Sequence, residues 1–158
     1  MERIFNPRQF GALGDGITLD TKAIQAAIDE AGIAAERGAK TIVVLSKGIY
    51  LTSSLFLKSH MEFRMEEGAI LLGTTDESQY PIMHTRVAGV EMEWTVGILN
   101  VNGQEDVKIT GKGCIDGQGP YWWNKYWGED RKGGMRKVYE AKGATQFPSL
   151  TSKLKKPN

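Results

Sequence analysis

Cysteine occurs once in the chain, at Cys114, so an intrachain disulfide is impossible and a cysteine-built metal cage is excluded. Histidine occurs only at His60 and His84, and no two aspartates are adjacent. No cofactor and no metal are expected from such a composition. No apolar run approaches the roughly 20 residues that a membrane helix needs, so no membrane partner is expected. The opening residues, Met1-Glu2-Arg3-Ile4-Phe5-Asn6-Pro7, hold no apolar stretch of signal-peptide length. On this sequence the expected location is the cytoplasm, or the cell exterior if a leader was removed.

The 158 residues, 41% hydrophobic and 25% charged, have the size and composition of one globular domain or of part of a larger one. A net charge of +1 conceals an asymmetry. Residues 1–130 hold 12 Lys and Arg against 18 Asp and Glu, a balance of −6, whereas residues 131–158 hold 8 against 1, a balance of +7. A basic tail can bind nucleic acid through counterion release. Its only aromatics, Tyr139 and Phe147, are too sparse for a stacking platform, and the acidic body would repel phosphates, so no nucleic-acid partner is expected.

Phe10-Gly11-Ala12-Leu13-Gly14-Asp15-Gly16 places three glycines in seven positions, as a tight turn requires. A phosphate-binding loop is disfavoured, because no Lys-Ser/Thr comes after it and no strand clearly precedes. From Thr21 to Ala35, Ile24, Ala27, Ile28, Ala31, Ala34 and Ala35 recur at three- and four-residue spacing. This predicts an amphipathic helix with Asp20 as its N-cap and Gly38 at its end. The period then changes. Thr41–Leu45, Ile49–Leu51, Leu55–Leu57, the alternating Met61, Phe63 and Met65, Ala69–Leu72, Val96–Val101, Val107–Thr110 and Gly113–Asp116 read as short strands separated by small residues.

Phe63-Arg64-Met65, Gly68, Ile70 and Gly73 reappear as Val107-Lys108-Ile109, Gly113, Ile115 and Gly117. The offset of 44 or 45 residues is about twice a solenoid coil of roughly 22. Residues 74–95 show little strand alternation and read either as an excursion loop or as a degraded coil. An antiparallel sandwich would want two-residue hairpin turns, and only Asn102-Gly103 supplies a good one.

The segment from Phe10 to Gly16, with Asp20-Thr21 and Ala23-Ile24-Gln25-Ala26-Ala27-Ile28-Asp29, resembles the opening of right-handed parallel β-helix proteins of the pectin-lyase superfamily. Phage tailspikes share that opening. Ser54–Ser59, Glu66-Glu67-Gly68-Ala69, Gln79-Tyr80-Pro81 and above all Gly113-Cys114-Ile115-Asp116-Gly117-Gln118-Gly119 with Tyr121-Trp122-Trp123 are similar to the polygalacturonase family of glycoside hydrolases (family 28). The resemblance covers about residues 5–127. It implies an all-β, right-handed parallel β-helix with an amino-terminal capping helix, truncated after the first coils. Residues 1–142 would be the amino-terminal part of that domain and residues 143–158 a disordered or non-native tail.

The activity implied is inverting hydrolysis of α-1,4-polygalacturonate, with pectin and oligogalacturonides as acidic polysaccharide partners. Such chemistry needs one carboxylic acid and one carboxylate base flanking the bond. In the family these come from Asn-Thr-Asp and Asp-Asp motifs, helped by His-Gly and Arg-Ile-Lys, and none of the four occurs here. The chain alone is therefore expected to be inactive, with no catalytic residue. The alternative is a non-catalytic polysaccharide-binding β-helix module of the tailspike type.

Asp15 and Asp116, each flanked by glycine, read as aspartates that bond their own turn. Glu66 and Glu67, taken as strand neighbours, would point to opposite faces. Tyr121, Trp122, Trp123, Tyr126 and Trp127 place five aromatics in seven positions after a glycine-rich turn. Aromatic faces stack on sugar rings, so Tyr121, Trp122, Trp123 and Trp127 are the candidate substrate contacts. The competing reading is a loop anchored by buried tryptophans. Lys125, Arg131 and Lys132 stand near enough in sequence to meet substrate carboxylates. The oligomeric state is left open.

Overall fold

The computed structural model describes residues 1–87 and 90–127, which fall into two compact units. The first comprises residues 1–80 and 97–117; the described part of the second comprises residues 81–87, 90–96 and 118–127. The tail from 143 to 158, and with it Arg131 and Lys132, lies outside the described residues.

In the first unit, β1 (Glu2–Phe5) and β2 (Asp15–Leu19) precede α1 (Thr21–Glu36). Then come β3 (Lys40–Leu45), β4 (Gly48–Thr52), β5 (Leu55–Phe56), β6 (Met61–Met65) and β7 (Ala69–Gly73). The second unit inserts β8 (Ile82–Val87) and β9 (Val90–Thr95). The chain returns to the first unit with β10 (Leu99–Asn100), β11 (Val107–Gly111) and β12 (Cys114–Asp116), and α2 (Gly119–Trp127) belongs again to the second.

The strands of the first unit stack in parallel as three sheets, β1-β3-β6-β11, β2-β4-β7-β12 and β5-β10. This is a parallel β-helix: each sheet takes one strand from successive turns of the chain, and like residues stack in columns. Thr41, Met61 and Val107 share one register position, Val43, Phe63 and Ile109 the next on the same face, and Tyr50, Leu71 and Ile115 another in the second sheet. Their inward members form the core, in which Val43, Leu45, Tyr50, Leu55, Phe63 and Leu71 are fully buried.

The registers correct the reading of the repeat. Thr41 lies opposite Met61, a coil of 20 residues, whereas Met61 lies opposite Val107, 46 residues on. The longer step is one coil carrying an excursion, not two coils, and the excursion is the antiparallel hairpin of β8 and β9. Phe63 also stacks on Ile109 and not on Val107, a shift of two residues that preserves the inward face, and Leu71 stacks on Ile115 in place of Ile70. Two glycines seat the last turn against its neighbour. A Cβ on Gly111 would collide with the Met65 carbonyl, and one on Gly113 would lie 2.5 Å from the Met65 Cβ. Gly111 also holds a left-handed φ of 100°.

The predicted helix is present and ends one residue later than its apolar stripe. Gly38, at φ 84°, donates to the Ala35 carbonyl while Ala39 donates to that of Ala34, the paired bonds of a Schellman cap. At the other end the expectation fails. Asp20 occupies the N-cap position but makes no side-chain bond to the helix. Its buried carboxylate accepts instead from the amides of Leu13 (2.8 Å) and Gly14 (2.9 Å), pinning the glycine-rich turn. Thr21 bonds elsewhere too, its hydroxyl accepting from the Ser53 amide at 2.9 Å.

The buried stripe of Ile24, Ala27, Ile28, Ala31 and Ala34 closes the apolar interior at this end. Gln25 completes the closure at the polar level. Its amide donates to the Phe56 carbonyl (3.0 Å) and accepts from the Phe56 amide (2.9 Å), taking the place of a neighbouring strand on β5.

Candidate functional site

The aromatic segment forms a helix, α2, and not a loop. Gln118 turns the chain at φ 52°, and Tyr121 donates its amide to the Gln118 carbonyl to start the first turn. Residues four apart share a helix face, so Tyr121 is brought over Lys125 and Trp123 over Trp127. The Lys125 ammonium stands 6.0 Å from the Tyr121 ring centre. Trp123 and Trp127 are tilted neighbours at 5.6 Å, while Tyr126 meets Trp127 edge-on at 5.0 Å and Tyr121 meets Trp122 edge-on at 5.2 Å. None of the helix's side chains is fully buried, and Trp123 is 54% exposed and Tyr121 43%. The four candidate contacts thus lie on one nine-residue helix, Tyr121 and Trp123 exposed and Trp122 and Trp127 partly buried.

The carboxylates are distributed differently. Asp15 accepts from the amides of Ile17 and Thr18 and from the Thr18 hydroxyl, at 2.7 to 2.9 Å. The Thr18 amide, followed by that of Ile17, holds its pKa below the ordinary aspartate range. It is a turn aspartate, as its flanking glycines predict. Asp116 lies exposed in β12. Glu66 and Glu67 are not strand neighbours: β6 ends at Met65, and both stand exposed in the turn before Gly68. Among the described residues no group of three His, Cys, Asp or Glu is arranged to hold a metal.

Two polar clusters carry no sequence signal, because each joins residues from separate elements. On the hairpin, His84 lies between two glutamates, with Nε2 3.3 Å from Glu91 and Nδ1 3.3 Å from Glu93. In the first unit, a cleft of about 610 Å³ is lined by the end of α1 at Glu36 and by Lys58, Ser59, His60 and Gln104. There the Gln104 side-chain oxygen, Oε1, accepts from both the amide and the hydroxyl of Ser59 at 2.8 Å, and His60 stands 3.6 Å from Glu105 and from Asp106. These bonds tie the turn before β6 to the turn before β11.

Stacked parallel coils behind a capping helix define the class, a pectate-lyase-like parallel β-helix. Residues 4–64 match the family described as rhamnogalacturonase A/epimerase, pectate lyase-like. The crystal structure of a hyperthermoactive exopolygalacturonase from Thermotoga maritima superposes with a TM-score of 0.73 at 27% identity, over 90% of this chain and 33% of that one. The chain is 35% identical to an exo-poly-alpha-D-galacturonosidase of Dickeya chrysanthemi over 125 residues, 74% of this chain and 20% of the relative. It is 38% identical to a probable polygalacturonase of Vitis vinifera over 130 residues, 75% of this chain and 25% of the relative.

The β-helix is therefore right-handed, and over about three quarters of its length the chain is similar to proteins named as polygalacturonases. It spans about a fifth to a quarter of the length of those curated relatives. No described helix is long and apolar enough to cross a membrane.

Proposed function

We propose that this chain is the amino-terminal portion of a polygalacturonase-type hydrolase that cleaves α-1,4-polygalacturonate with inversion, and that it binds acidic oligogalacturonides without hydrolysing them. The observation that carries the reading is the correspondence of its coils with those of an exopolygalacturonase over nearly the whole chain. Trp123 and Tyr121 present open ring faces of the kind that stack on sugars, and Lys125 beside Tyr121 supplies a positive charge for a uronate carboxylate. Inactivity results from the missing proton-transfer groups. A positioned substrate without an acid and a base gains orientation but no proton transfer.

Titration of the purified chain with oligogalacturonides tests the binding, monitored by tryptophan fluorescence. Trp123→Ala is expected to weaken it about tenfold, in line with the loss of one stacked ring at roughly 1 to 3 kcal/mol. Equal affinity of Trp123→Ala and the parent would remove α2 from the site. Reducing-end release from polygalacturonate is expected to be absent. Release that Asp116→Asn abolishes would make Asp116 a catalytic group. Preference for a neutral polysaccharide over oligogalacturonide would favour the non-catalytic module.

A further inference from the structure

One turn of the β-helix is longer than the turn stacked beneath it. Leu99 stacks on Leu55, 44 residues earlier, whereas Val107 stacks on Met61, 46 residues earlier, so the chain gains two residues between β10 and β11. The Leu57 amide still meets the Asn100 carbonyl, and the His60 amide already meets that of Glu105, which confines the surplus to residues 101–104. Asn102 and Gly103 stand in the middle of that stretch, and both are exposed. They project because the turn beneath holds no counterpart for them.

Gly103 has a left-handed φ of 63°, a conformation that favours glycine, and a Cβ built there would meet nothing within 4 Å. Among the described residues neither the Asn102 carboxamide nor the Gly103 amide has a hydrogen-bond partner. An unshielded amide nitrogen thus follows directly on an unheld carboxamide. The other described asparagines are protected. Asn6 precedes Pro7, which has no N–H. The Asn100 side chain donates to the carbonyls of Leu55 (3.0 Å) and Gly97 (2.8 Å) and accepts from the Gly97 amide (3.1 Å). Asn124 lies inside α2, where the amide after it belongs to the helix ladder. The two Asp-Gly pairs, Asp15-Gly16 and Asp116-Gly117, carry carboxylates, which repel a nucleophile, and Asp15 is held by three bonds of its own turn.

We propose that Asn102-Gly103 is a self-modification site, at which the chain deamidates without an enzyme and thereby releases the turn beside it. The Gly103 nitrogen attacks the side-chain carbonyl carbon of Asn102. A C–N bond forms, the bond to Nδ2 breaks, and the Gly103 amide proton leaves with that nitrogen as ammonia. Water then opens the succinimide. Opening at the main-chain carbonyl gives isoaspartate, with the backbone running through the former side chain, and opening at the other carbonyl gives aspartate. Gln104 follows at once, and its Oε1 accepts from the Ser59 amide and hydroxyl at 2.8 Å on the wall of the 610 Å³ cleft. Isoaspartate lengthens the backbone just ahead of Gln104, and either product adds a negative charge close in sequence to Glu105 and Asp106. The Ser59–Gln104 contact is therefore the first to be lost.

Incubation of the whole chain at mildly alkaline pH, followed by proteolysis and mass mapping, is the test, with an isoaspartyl methyltransferase to count isoaspartate. Asn102 is expected to convert at least about tenfold faster than Asn6, Asn100 or Asn124, and no isoaspartate is expected at Asp15 or Asp116. Gly103→Ala, which shields the attacking nitrogen, is expected to slow conversion about tenfold, and Asn102→Gln, which would need a larger ring, to abolish it. Circular dichroism confirms that each variant is folded. In the separated isoaspartate form the Ser59 amide is expected to lose protection from hydrogen exchange while the Phe63 amide in β6 keeps its own. An intact Asn102, conversion of Asn100 or Asn124 at the same rate, or unchanged protection of Ser59 in the isoaspartate form would each overturn the proposal.

Discussion

Val43, Phe63 and Ile109 occupy one inward column of the same sheet, yet the first two are fully buried and the third is half exposed. Tyr50, Leu71 and Ile115 repeat the contrast in the second sheet. The residue types are equally apolar, so burial here depends on whether a further coil covers the position and not on the residue. In a solenoid each coil obtains its core from its neighbour. The difference between the two ends is therefore energetic as well as geometric.

Truncation of that column gives the largest expected effect. Phe63→Ala removes a ring packed on both sides and is expected to cost about 3 to 5 kcal/mol in urea unfolding. Ile109→Ala is expected to cost about 1 kcal/mol or less, because much of that side chain already meets water. Equal losses would mean that the open end is covered in solution.

The capped end is expected to break next at Asp20. Asp20→Ala deletes the acceptor for the Leu13 and Gly14 amides and is expected to cost about 2 to 4 kcal/mol. Asp20→Asn, which keeps one carbonyl oxygen, should recover part of it. A loss below about 1 kcal/mol, the value of an ordinary exposed cap, would return Asp20 to a capping role.

The smallest effect is expected on the hairpin. Glu91 foremost raises the pKa of His84 through its hydrogen bond, burial opposes, and Glu93 adds to the rise. A raised folded value means that the stabilisation is fully present below the ordinary histidine value and is lost as pH rises through the higher folded one. The protection factors of the β8 and β9 amides, with the base-catalysed intrinsic exchange divided out, are therefore expected to fall slightly on passing from mildly acidic to mildly alkaline pH, and His84→Gln to flatten that fall. The size is limited by exposure, since ion pairs in water contribute little. A dependence of the same size in His84→Gln would assign it elsewhere.

Much of the fold was legible. The 3.6-residue period of α1 and the β-branched or alternating runs of β3, β4, β6, β7 and β11 are properties of a chain that must bury one face, and burial writes them into composition. β1 and β2 were missed because most of their side chains are exposed and only their backbones are paired. The hairpin was missed for a related reason: Met83 and Thr85 alternate with His84 and Arg86, a contrast too weak to stand out. The candidate site was legible as a cluster of rings, but its helical form was not, since aromatic residues suit strands, loops and helix faces alike.

The sequence by itself determined that the chain forms short strands punctuated by small residues behind one amphipathic helix, because periodicity and residue identity are local. Only the tertiary structure decided that a 46-residue offset is a single coil, that Phe63 stacks on Ile109, and that Asp20 holds a turn and not its helix. Register and coverage depend on which residues meet across dozens of positions of chain. No window of sequence contains both partners, so these features become physical only when the coils are in place.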